Sequence, residues 1–239
     1  MNTKNNPTSA NLASLLASAK QSAISDITLA PCVDSPYIKP QRMHYVENGF
    51  KKTWDFIQSH DSVAIILHNV DNDSFIVVRQ FRPAVFIREQ ERKEKSKENQ
   101  ISQNQAPQEN TDEKSVGYVY ELCAGLVDKE GKSIEQIAAE EVLEECGYKV
   151  DSSALVEVAT FRTSVGSSGA QQYLFYARVG QKDKVCAGGG IDGEVIECFE
   201  IARGDLEAFL QDSRFVKTPG LGFGILWFLQ HTKQIKFII

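Results

Sequence analysis

No apolar run in the 239 residues reaches the ~18 that a membrane-spanning helix needs, and Met1 to Pro7 lacks the basic-then-apolar plan of a secretory leader. The expectation is a cytoplasmic protein with no membrane partner. Basic residues are outnumbered, 26 Lys and Arg against 32 Asp and Glu, so the chain lacks the cationic footprint of a general nucleic-acid binder. A local cationic pocket stays open. The five cysteines, at 32, 123, 146, 186 and 198, show no close pairing of the metal-binding or thioredoxin kind. Their odd number argues against a complete disulfide framework, and they read as reduced and structural. Hydrophobic residues are not lacking: at 42% they suffice for a substantial core.

The pattern of strands and helices is that of an α+β chain. Residues 1–28 are small and polar, with a short helical segment in a flexible N-terminal tail. Residues 29–58 form a small β subdomain, broken by Pro36, Pro40 and the hairpin signal Asn48-Gly49. The main domain is expected over 59–239. It starts with a hairpin, Ser62 to Leu67 and Ser74 to Gln80, and continues with strands at 154–161, 172–179 and 193–200. A short helix at 206–211 and an apolar one from Leu221 to Gln230 follow, the latter packed behind the sheet. From 88 to 115 the composition turns to Lys, Glu, Gln and Asn, with Ile101 the one large apolar residue. Such a segment buries too little to offset its chain entropy, and the expectation is a mobile charged insertion.

The stretch from Tyr118 to Tyr148 carries the chemistry. Tyr118 to Cys123 reads as a strand, broken by Ala124-Gly125. A helix starts at Ser133, which forms a capping box with Gln136, and Gly147 sits where a left-handed C-cap belongs. Ile134, Ile137, Ala138 and Val142 make its apolar stripe, and Glu141, Glu144 and Glu145 share another face. Like charges at this spacing destabilise a helix by a few tenths of a kcal/mol per pair, so either water screens them or a cation occupies the face.

These residues resemble the Nudix hydrolase signature: Gly, five residues, Glu, seven residues, Arg-Glu-apolar-any-Glu-Glu-any-Gly-apolar. Gly125, Glu141, Val142, Glu144, Glu145, Gly147 and Tyr148 match, with a loop of six residues in place of five. Lys132 stands where the family has its first Glu, and Glu140 where it has Arg. Either the helix-orienting ion pair is made in the opposite sense, Lys132 to Glu140, or catalysis is weakened. Further segments at 35–40, 54–56, 60–63, 78–85 and 120–128 are similar to the uridine diphosphate glucose pyrophosphatase branch, and the resemblance runs roughly from 30 to 230.

The resemblance implies a Nudix fold, a mixed β-sheet sandwiched between helices, with the small N-terminal antiparallel sheet helping to build a homodimer and the base pocket. It implies Mg2+, or Mn2+ as a substitute, held by Glu141, Glu145, Glu144 and the Ala124 carbonyl. Glu194 is the candidate general base, with Asp192 and Glu144 as alternatives. Arg82 matches an arginine facing the substrate phosphates, Trp54 lies on the strand that contributes to base stacking, and Gly125 joins them on the substrate side. The loop 163–169 either closes over a sugar or is an ordinary hairpin connection. The implied reaction converts UDP-glucose to UMP and glucose 1-phosphate; the alternatives are ADP-ribose hydrolysis and a catalytically weakened nucleotide-sugar binder.

Overall fold

The computed structural model describes residues 7–20, 22–103 and 115–235. A two-stranded antiparallel sheet pairs β1 (Ile38–Glu47) with β2 (Phe50–Ser59) through the Asn48-Gly49 turn, where both residues have positive φ. Pro40 does not break β1 but lies inside it, opposite Ile57. A two-stranded sheet leaves each strand a free edge, where a missing N–H costs no ladder bond.

The main sheet has seven strands and forks. β3 (Ser62–Asn69) and β4 (Ser74–Phe81) pair next to their turn, at 67–69 with 74–76, and then part. Into the gap comes one continuous run of chain: β5 (Tyr118–Glu121) pairs with β4, and β6 (Cys123–Leu126) pairs with β3. The break in pairing therefore falls at Leu122. Ala124 and Gly125, expected to end the strand, instead pair with Ala64 and Val63. β8 (Gln171–Val179) runs parallel to β3, β7 (Val156–Arg162) lies outside it, and β9 (Ile196–Ala202) pairs with β4, giving the expected mixed sheet.

Alternation along the central strands feeds two cores, as a strand sheathed on both faces requires. Val63, Ile65, Leu67, Ile76 and Val78 face α3 (Ile134–Cys146), while Ala64, Ile66, Phe75 and Val77 face α4 (Leu206–Gln211) and α5 (Pro219–Ile235). The sandwich of helix, sheet and helix matches the expected architecture.

Two segments differ from their expected character. The N-terminal segment carries α1 (Pro7–Ser18), whose Leu12 is buried in the α4–α5 core while Asn11 Nδ2 donates to Asp205. Just beyond it, the Lys20 carbonyl accepts from Arg79, and Ser22 N–H donates to the Tyr118 hydroxyl. Apolar contacts at one face of a small-residue helix suffice to dock it. At the charged insertion, α2 (Pro83–Gln103) is helical well past Arg88, because Glu, Lys, Gln and Arg are strong helix formers even without a core to join. Of the rest of the proposed insertion, residues 104–114 lie outside those described and Ser115 within them.

Candidate active site

The fork in the sheet sets the site, because β6 runs beside α3 there. Gln136 N–H donates to Ser133 Oγ and Ser133 N–H to Gln136 Oε1, at 3.3 and 2.8 Å, which is the expected capping box. At the other end Gly147, at φ 71°, caps the helix in the left-handed region. Ile137, Ala138 and Val142 are buried against the sheet, and this fixes the rotation of α3 about its axis. Glu141 and Glu145 are thereby aimed at β6, with Glu144 on the flank.

Glu145 is only 4% exposed, with the Ala124 N–H donating to its Oε2 at 3.0 Å. Burial pushes its carboxyl up to about 8; the Ala124 N–H and the Cys123 thiol offset part of this, and the charges of Glu141 and Glu194 add to it. An extended residue sends its N–H and C=O to the same side, so the Ala124 carbonyl faces the side on which Glu145 lies. Glycine at 125 is a matter of room: a Cβ there would stand 2.1 Å from the carboxyl carbon of Glu141. Glu141 is also raised by burial, with Lys129 opposing and Glu144 and Glu194 adding.

Two lysines meet these carboxylates from the loop before α3. Lys132 Nζ lies 2.6 and 2.7 Å from the two oxygens of Glu140, so the chain forms the ion pair of inverted sense. It holds the Glu140 carboxyl below its ordinary range. Lys129, which sequence reasoning missed, reaches further in, 3.2 Å from Glu140 and 3.4 Å from Glu141 and Glu144. Burial works against its charge, and the carboxylates outweigh burial and hold its pKa up. The unsatisfied negative charge of the helix face was the available signal, pointing to a cation without saying which.

The loop 186–195 fastens to the C-terminal end of α3. Gly189 N–H donates to the Glu145 carbonyl at 2.9 Å and Gly190 N–H to that of Glu144 at 3.0 Å, satisfying carbonyls that a helix end leaves orphaned. This brings Glu194 near the site: its charge raises Glu141 and Glu145 and supports the raised pKa of Arg82, whose main cause is Glu121. Glu194 Oε2 accepts from Ile191 N–H. Asp192, on the same loop at φ 52°, is exposed as Glu194 is, and it is the charge of Glu194 that reaches these groups.

Arg82 makes a bidentate pair with Glu121, at 2.7 and 2.8 Å, from the strand that leads into Leu122. Glu121 is the second residue missed, since only the folding of β5 onto β4 brings the two together. Trp54 stands apart from the carboxylates. It is 51% exposed on β2, and its indole N–H donates to the Gly166 carbonyl at 3.0 Å. With Ile57 N–H bonded to the Ser167 carbonyl, the loop 163–169 is clasped to the N-terminal hairpin.

Among the described residues no three His, Cys, Asp or Glu side chains converge on a ready-made metal position, because Glu145 turns to Ala124 while Glu141 and Glu144 turn to Lys129. The donor set nonetheless suits a hard divalent cation: carboxylate oxygens around a space where an ammonium already sits.

No family model matches the chain. It is 39% identical over 214 residues to the uridine diphosphate glucose pyrophosphatase NUDT14 of Bos taurus, covering 86% of this chain and 94% of that one. The Mus musculus protein of the same name is 39% identical over 209 residues with the same coverage. A GDP-mannose pyrophosphatase of Cronobacter sakazakii is 28% identical over 141 residues, 59% of each chain. With the signature on α3, the forked mixed sheet and this degree of identity, the chain belongs to the Nudix hydrolase family.

Proposed function

We propose that this protein hydrolyses the diphosphate bond of a nucleoside diphosphate sugar, UDP-glucose to UMP and glucose 1-phosphate, using Mg2+, with Mn2+ as a substitute. The observation that carries the reading is the Glu141–Glu145 pair against Ala124 and Gly125, in a chain 39% identical over most of its length to UDP-glucose pyrophosphatases. Glu141, Glu145, Glu144 and the Ala124 carbonyl would hold the cation. Bound there, it would neutralise the diphosphate oxygens that otherwise repel an incoming water. Glu194 takes the proton of that water, favoured over Asp192 by its electrostatic reach into the site, with Glu144 orienting its neighbours. Arg82, pre-aligned by Glu121, presents a planar fork to the phosphates.

Trp54 offers an exposed indole for the base, on the hairpin clasped to loop 163–169. The same face of that hairpin exposes Met43 and Phe50, which supports a homodimer built there. Free cysteines throughout the described residues agree with a cytoplasmic location.

A second reading, a slow or non-hydrolysing nucleotide-sugar binder, has Lys129 in the acidic face and Glu140 at the family's Arg position behind it. Turnover of UDP-glucose, ADP-ribose and GDP-mannose, assayed side by side with Mg2+, tests both. UDP-glucose should give the highest kcat/KM. Preference for ADP-ribose or GDP-mannose would overturn the substrate, and binding without product would favour the second reading.

A further inference from the structure

The acidic face of α3 brings its own cation, and the two nearby lysines divide the work unequally. Lys132 serves Glu140 alone, at 2.6 and 2.7 Å. Lys129 also touches Glu140, at 3.2 Å, but Glu140 has Lys132 closer still, whereas Lys129 is the lysine that Glu141 and Glu144 meet. Its contacts, 3.2 to 3.4 Å to each of three carboxylates, are those of one ammonium shared among several acceptors and committed to none. Its side chain is 26% exposed, so a way to solvent is open. A lysine is a compact charge on a flexible four-carbon stem, able to leave such a place without disturbing the backbone.

We propose that Lys129 is a resident counter-cation: in the metal-free chain it holds Glu141 and Glu144 together, and it withdraws when a divalent cation enters. Lys129 is then a positioning residue that sets the metal affinity. The inference rests on the preceding reading, in which Glu141, Glu144 and Glu145 bind the metal. Two cations sharing the same carboxylates within about 4 Å repel one another, so the ammonium must move or weaken the metal's hold. In this chain the family's arginine position is Glu140, and the cation comes from the loop before α3.

The test is Mn2+ binding to the metal-free protein without substrate, by calorimetry and by the paramagnetic resonance of free Mn2+, in wild type, Lys129→Met and Lys129→Arg. Lys129→Met should bind Mn2+ roughly tenfold more tightly at low salt, with the gap narrowing as salt screens the charge. Lys129→Arg should stay near wild type. In chelator, the melting temperature of Lys129→Met should fall, and saturating Mn2+ should restore it. Equal or weaker Mn2+ binding by Lys129→Met, with wild type binding normally, overturns the role of Lys129 and leaves the metal reading intact. No Mn2+ binding by any of the three overturns the metal reading, and this inference with it.

Discussion

Both ends of the forked sheet gather carboxylates, and they treat them oppositely. At the closed end, beside the β3–β4 turn, Glu200 accepts from Asn69, Asn72, Ser74 and Tyr148. Next to it, Asp73 takes a bidentate pair from Arg203 and a bond from His68, and Arg203 continues to Thr232. At the open end Glu145 lies deeper, 4% exposed where Glu200 is exposed and Asp73 partly so, yet it has only one backbone N–H and a thiol, and Glu141 has a shared lysine. A carboxylate near the surface and supplied with several donors acts as a structural tie. One that is buried and short of donors keeps an unmet demand for positive charge, which a cation or a reacting substrate can supply. The difference in burial and in donors together separates framework from site.

The contrast is broken most forcefully at Glu145. Glu145→Gln should lower turnover by about two orders of magnitude or more, ~3 kcal/mol of transition-state stabilisation. The metal-free fold should gain from the same change. The Glu145 carboxyl is raised from the ordinary 4.5 to about 8, so the stability it contributes is full below about 4.5 and lost as pH rises through 8. Calorimetry of chelated protein should therefore show the variant gaining on wild type between pH 5 and pH 9, by about 1–3 kcal/mol at the upper end.

At the closed end the signs invert. Arg203→Met should cost about 2 kcal/mol of stability, read as a lower urea midpoint, with kcat unchanged. The stability given by the lowered Asp73 is present above about pH 4 and fades as pH falls. Burial lowers His68, whose contribution likewise fades below about pH 6.5. Wild type should thus lose more melting temperature between pH 7 and pH 5 than His68→Gln does. The smallest effect belongs to Lys132 and Glu140, both partly exposed. A double-mutant cycle with Lys132→Glu and Glu140→Arg should show a coupling of about 0.5 kcal/mol in stability, and purely additive changes would mean that the pair contributes nothing.

What the chain reveals before folding is what its neighbours along the sequence decide. The Ser133–Gln136 capping box, the Gly147 cap, the Asn48-Gly49 turn and the one-face spacing of Glu141, Glu144 and Glu145 all depend on residues within one or two turns, and each was legible. The two charge reversals at Lys132 and Glu140 left an inverted pair and weakened catalysis both open, and the fold forms the pair. Lys129 and Glu121 were not legible, because Lys129 reaches its carboxylates only once its loop folds back along α3, and Glu121 reaches Arg82 only once β5 pairs with β4. Gly125 was misread as a strand breaker, since glycine in a sequence looks the same whether the backbone bends or Glu141 needs the room. The polar stretch after Arg88 looked structureless because hydrophobicity predicts burial, not helicity.

The measurement that bears most directly on this account is the release of UMP and glucose 1-phosphate from UDP-glucose by the wild-type chain as Mg2+ is titrated from full chelation. The account predicts no turnover in chelator and a saturable rise with Mg2+. Turnover that persists undiminished in chelator, or no product at any Mg2+ concentration while UDP-glucose binds, would contradict it.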